Sequence, residues 1–209
     1  MKRSFCPQIL FIVISVFTFT GCVTKQSSVS SQSLVSNVPA PQLEPQPTKL
    51  ELATETAKWL KDCPNITWLP KQVSGRVDGA TALDNIRQAA AGNAVKMSYY
   101  GNAPGGYVRL DLRMLRAMKK LVEEGYSFRV TSLAGASHSW NSLHYQGLAF
   151  DVDKINGVKV AYGKPYYWQF MMRCRELGAT ETFGPGTKGH SSHVHIAWPK
   201  IDPLEIVIP

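Results

Sequence analysis

Five histidines stand out in this chain: His138, His144, His190, His193 and His195, all within its last 72 residues. Most fall into two clusters, Ser142-Leu-His144-Tyr-Gln-Gly147-Leu-Ala149-Phe-Asp151 and His190-Ser-Ser-His193-Val-His195. Residues i and i+2 of a strand share a face, so His193 and His195 are expected to point the same way. One can then bind a metal ion while the other reaches its bound water. His144 precedes a turn and Asp151 lies on the strand that follows. A neutral imidazole and a carboxylate both suit zinc, and three protein ligands with one open position make a catalytic rather than a structural site. No Cys-x-x-Cys suggests a structural zinc knuckle. Any one of these histidines alone reads equally well as an ordinary surface or core residue; the grouping with an acid at fixed spacing is what points to a metal.

The pattern Ser-x-His-x-x-Gly-x-Ala-x-Asp followed by His-x-His resembles the signature of the zinc D-alanyl-D-alanine carboxypeptidases and related peptidoglycan endopeptidases. These share a fold with lysostaphin-type peptidases and the hedgehog domain. Ser142, His144, Gly147, Ala149 and Asp151 each fall on a motif position, and the similarity covers roughly residues 110–199. The resemblance implies a zinc ion (Zn2+) held by His144, Asp151 and His195. It implies His193 beside the attacking water and His190 lining the site, with peptidoglycan peptides as substrate. Two positions differ from the family pattern. Ser192 stands where many relatives carry a Glu as general base, which passes that role to His193. The stretch Ser132-Leu-Ala-Gly-Ala-Ser-His138 lacks the Arg with which relatives clamp substrate, leaving Arg109 and Arg129 as the candidates to replace it.

The expected reaction is hydrolysis of an amide bond, by a carboxypeptidase or an endopeptidase. His193 would accept the water's proton or stabilise the oxyanion, a contribution on the order of 10²–10⁴-fold. Asp153 reads either as a partner that orients a ligand histidine or, preferably, as a solvated hairpin residue. Hedgehog-type relatives hold zinc without a demonstrated need for hydrolysis, so the alternative is a non-catalytic, zinc-containing wall-binding lipoprotein. His193 separates the two, because a pure binder has no use for a base beside a ligand. Trp140, Tyr145, Tyr166, Tyr167 and Trp168 flank the motifs and read as cleft walls or as packing.

Several elements must position these residues. Glu51 to Cys63, stopped by Pro64, reads as a helix, and Thr81 with Asp84 caps a short one through Ala91. Asp111 caps a helix with an apolar stripe at Leu112, Leu115, Met118 and Leu121, ended by Gly125. Tyr126 to Ser132 reads as a strand. Leu148 to Ile155 alternates and leads into an Asn156-Gly157 hairpin turn. Pro165 opens a helix to about Leu177, and His193 to Trp198 is a last strand. The expected class is α+β, an antiparallel sheet with packed helices, of the hedgehog/DD-peptidase kind that the resemblance implies.

The chain of 209 residues suits one domain with extensions, and no apolar run reaches the roughly 18 residues of a spanning helix. Residues 1–21 have a basic start at Lys2 and Arg3, an apolar stretch and small residues before Cys22, the order of a secretory signal. Phe19-Thr20-Gly21-Cys22 resembles a lipobox, with Phe19 in place of the usual Leu. That implies lipidation at Cys22 and an anchor on the periplasmic face of the outer membrane; the other reading is an ordinary cleaved signal. Losing residues 1–21 removes two bases and no acid, taking net charge from +8 to +6. Such a balance fits several polyanions, but export and the absence of a basic helix argue against nucleic acid. Residues 22–49, rich in Ser, Gln and Pro, read as a tether to a domain at 50–209 that is expected to act as a monomer. Cys63 and Cys174 are an even pair in an oxidising compartment, either a disulfide or two free thiols, since spacing alone cannot show proximity.

Overall fold

The computed structural model describes residues 46–200. The signal segment, Cys22 and all but the end of the tether lie outside the described residues. The first helix, α1 (Lys49–Asp62), begins two residues before the expected Glu51. Thr48 and Glu51 form a reciprocal capping box there, which moves the start upstream. After β1 (Ile66–Trp68) comes α2 (Ala82–Ala90), capped by Thr81 and Asp84 as the sequence indicates. Two short strands, β2 (Val95–Lys96) and β3 (Tyr107–Val108), pair as a separate antiparallel ribbon. Asp111 caps α3 (Leu112–Glu123), whose Leu112, Met114, Leu115, Met118, Leu121 and Val122 are buried.

The main sheet is built from β1, β4 (Phe128–Ser132), β5 (Ala149–Ile155), β6 (Val158–Lys159), β7 (Glu181–Phe183) and β8 (Val194–Ala197). Its order is β1-β4-β5-β8-β7, with β6 paired to β5. β1 pairs with β4 in parallel and every other pair is antiparallel, so the sheet is mixed where the sequence suggested an antiparallel one. The architecture is an open, mostly antiparallel sheet with four α-helices among the described residues. No helix among them is long and apolar enough to cross a membrane. The hairpin turn between β5 and β6 is Asn156-Gly157, with φ of 48° and 80°, the left-handed pair that a two-residue turn of this kind requires.

α4 (Tyr167–Glu176) begins two residues after the expected Pro165, because Tyr166 takes φ 79° and breaks the helical run there. Phe170 of α4 packs edge-on to Phe128 at 5.4 Å, and Phe150 stacks on Trp198 at 6.0 Å. These rings join α4 to the centre of the sheet. Phe150, Val152, Val194 and Ile196 are fully buried on that helical side. By strand alternation Asp151, Asp153 and His195 face the other way, with Glu181 and Phe183 of β7 beside them. The last strand starts at Val194, so His193 lies just ahead of it rather than within it. Cys63 and Cys174 are both free thiols: one ends α1 and is partly exposed, the other is sealed in α4. The disulfide reading is therefore corrected.

Candidate metal centre

His144 sits on a single 3-10 turn, Leu143–Gln146. Its amide donates to the Ser142 hydroxyl at 3.3 Å, and Gly147 closes the turn at φ 69°. Gly147 is required twice over. A Cβ there would adopt a left-handed conformation and would stand 2.1 Å from the Arg109 carbonyl oxygen. The turn buries His144 completely. Its Nδ1 lies 2.6 Å from the Leu133 carbonyl oxygen, an acceptor only, so Nδ1 carries the proton and Nε2 presents a lone pair.

Three ligand atoms converge beyond that lone pair. Asp151 Oδ1 is 3.1 Å from His144 Nε2, His195 Nδ1 is 3.1 Å from the same atom, and Asp151 Oδ1 to His195 Nδ1 is 3.0 Å. Asp151 and His195 are register partners across β5 and β8, which fixes their spacing through the backbone ladder. A tetrahedral ion with bonds of about 2.0–2.1 Å needs its ligand atoms about 3.3 Å apart, close to this triangle. With Nδ1 of His144 committed as a donor, Nε2 faces a carboxylate oxygen, acceptor to acceptor, and only a proton or a cation satisfies both. The donor set fits a metal ion on chemistry as well as on distance. Burial pushes the Asp151 carboxyl up, but His144 and His195 outweigh it and hold the group well below the ordinary range. Burial lowers His195, and Asp151 with Glu181 more than reverses that, leaving it raised.

His138 is the residue the sequence reading left without a role. Its ring stacks on His144 at 3.9 Å and 13°, with Nε2 at 3.0 Å from the Gly135 carbonyl oxygen and 3.2 Å from the Ser132 hydroxyl. The ligand atoms of His138, His144 and Asp151 lie within 4.8 Å of one another, so this group also could hold a metal ion. The set with His195 is tighter, with its three ligand atoms 3.0–3.1 Å apart. Burial and the neighbouring His144 push the His138 imidazole down to about 3, so it is neutral. Glu181 is the second residue missed. Its Oε2 stands 3.6 Å from His195 Nε2, a carboxylate behind a ligand imidazole. A hidden strand, three residues long, carries it there.

The fully buried His144 meets Asp151 and His195, which line a cleft of about 790 Å3. His193 lines it, half-buried, and has no hydrogen-bond partner among the described residues; burial lowers its pKa. His190 lines it too, with Nδ1 turned to the Lys188 carbonyl oxygen at 3.0 Å. Arg129 forks onto Asp153 at 2.7 and 2.5 Å on the cleft wall, so Asp153 is ion-paired and neither a free hairpin residue nor a partner of a ligand histidine. Arg109 instead donates to the Gly92 carbonyl oxygen and lines a different pocket, away from the cleft. Tyr145 is buried and bonds the loop backbone, while Trp140 is 81% exposed. Compared with protein-family models, with curated proteins and with solved structures, the chain matches none.

Proposed function

We propose that this chain is a zinc-dependent peptidase that hydrolyses amide bonds in peptidoglycan peptides, of the D-alanyl-D-alanine carboxypeptidase or endopeptidase kind. We place it in the envelope as a lipoprotein anchored at Cys22. The observation that carries the reading is the 3.0–3.1 Å triangle of His144 Nε2, Asp151 Oδ1 and His195 Nδ1, of which Asp151 and His195 line an open cleft. Two imidazoles and one carboxylate form a zinc-type set, and three protein ligands leave a position for water. Zinc bound there supplies Lewis acidity, polarising a carbonyl and bringing the pKa of water from about 16 toward roughly 7.

The chain's own residues do the rest. Leu133 holds His144 in the tautomer that presents Nε2, and Glu181 sits behind His195 to orient its ring. His193 has a free imidazole at the cleft wall and takes the water's proton, then returns it to the leaving amine.

The test is a digest of purified peptidoglycan fragments with zinc-loaded protein, products identified by mass, for the wild type and His193→Ala. The wild type should release peptide fragments. His193→Ala should keep its zinc and lose on the order of 10²–10⁴-fold in rate. A wild type that holds zinc and binds sacculi but cleaves nothing would replace the enzyme with the wall-binding reading.

A further inference from the structure

Residues 70–108 precede the stretch that carries the motif, and only Val73 among them lines the cleft. They nevertheless grip the loop 133–138 by its backbone. Ala134 N donates to Asn85 Oδ1 of α2 at 2.9 Å, and Ala136 N donates to the Ser98 hydroxyl oxygen at 2.9 Å. Ala136 holds φ 68°, a left-handed conformation that an alanine keeps only when its surroundings impose it. Gly135 lies flat on the same support, for a Cβ there would stand 1.9 Å from the Ala80 carbonyl oxygen.

The support has a charged centre. Ser98 is fully buried, and its hydroxyl lies 2.5 Å from Asp78 Oδ2. Asp78 Oδ1 accepts from Gln72 Nε2 and from Ala80 N, each at 3.1 Å. A hydroxyl has one proton and a carboxylate can only accept, so the Ser98 proton goes to Asp78 and its lone pairs face the Ala136 amide. At the far side of the loop, Leu133 accepts from His144 Nδ1 at 2.6 Å and Gly135 accepts from His138 at 3.0 Å. A chain of named bonds thus runs from Asp78, outside the cleft, to the tautomer of the buried His144.

We propose that Asp78 and Ser98 are positioning residues for the metal group: Asp78 orients the Ser98 hydroxyl, Ser98 holds Ala136, and the loop so fixed presents the Leu133 carbonyl that keeps His144 protonated at Nδ1. The inference rests on the reading of His144 as a metal ligand. It gives the region ahead of the motif a task at the site.

The experiment uses the full chain and two variants, Asp78→Asn, which keeps the shape and reverses the polarity facing Ser98, and Ser98→Ala. The first readout is nitrogen-15 NMR of the imidazole nitrogens in metal-free protein. The wild type should show His144 as a single Nδ1–H tautomer, and both variants a mixture, with exchange of the Ala136 amide faster by tenfold or more. The second readout is affinity for zinc alone, by competition with a chelator, which should fall about 10–100-fold in both variants. Leu121→Ala, a core truncation in α3, serves as control and should lower the melting temperature without changing the tautomer. The proposal is overturned if either variant keeps the wild-type tautomer and affinity, or if the control shifts them as much. A wild type that takes no zinc while the variants still scramble His144 would remove the peptidase reading and leave the positioning role standing.

Discussion

Asp151 and His195 are direct register partners across the β5–β8 ladder, and Oδ1 of the first stands 3.0 Å from Nδ1 of the second. Two central strands therefore set this half of the triangle, and His144 completes it from a turn. Removing any one of the three breaks the donor set without opening the core on the helical side. His144→Ala, Asp151→Ala and His195→Ala should each reduce zinc affinity by more than about 100-fold, read by chelator competition. His138→Ala should reduce it less, since its ring stacks on a ligand rather than completing the triangle. Elemental analysis that finds the wild type unable to take up zinc would end the assignment.

Gly147 joins fold and site. Gly147→Ala must place a Cβ at φ 69° against the Arg109 carbonyl oxygen. A cost on the order of 2–3 kcal/mol is expected in a denaturant titration, combining backbone strain with overpacking. Because His144 lies on the same turn, metal affinity should fall alongside stability. Unchanged affinity in a destabilised variant would show the turn to be less rigidly coupled to its histidine than the hydrogen bonds indicate.

The two thiols should behave differently. Cys174 is sealed in α4, and burial pushes its thiol far up, while Cys63 is partly exposed at the end of α1. Alkylation of the native protein followed by peptide mapping should label Cys63 and leave Cys174 untouched until denaturant is added. Reduction beforehand should not change the map. A peptide pair linked through these residues would contradict the free-thiol geometry.

Asp78 gives a pH signature. Burial raises its carboxyl, but bonds from Ser98, Gln72 and Ala80 outweigh that and leave the folded pKa lowered. A group with a depressed folded pKa contributes stability above the unfolded value of about 3.9, and the contribution is lost as pH falls through the folded pKa. The wild type should thus lose its advantage over Asp78→Asn progressively below about pH 4, with a constant difference above about pH 5. Denaturant midpoints across that range would reveal it; parallel curves at every pH would deny the carboxylate its stabilising role.

What could be read from the sequence was local. Thr81 with Asp84, Asp111 before its apolar stripe, and Asn156-Gly157 all act within a few residues, and each forms as its chemistry dictates. The spacing of His144, Asp151 and His195 also survived into three dimensions, because a turn and two adjacent strands hold it. The unread parts depend on distant partners. β1 and β7 are three residues each, too short for a pattern, and β1 pairs in parallel with a strand some sixty residues on. Glu181 and His138 join the site only through such long-range placement. Cys63 and Cys174 stayed ambiguous for the same reason: spacing along the chain carried no information on distance.

The last described strand is not at an edge. β8 lies between β5 and β7, so the sheet has a gap at its middle until residue 197 is available. A chain growing from its N-terminus can close α2 and α3 onto α1 early, but it leaves the edges of β5 and β7 that face β8 unpaired until β8 slots in. Folding of this sheet must therefore wait for residues 194–197, and the long separation between the strands that meet there makes it slow relative to the helices. His195 arrives with that strand, 51 residues after His144, so the set of His144, Asp151 and His195 is complete only once β8 has joined the sheet.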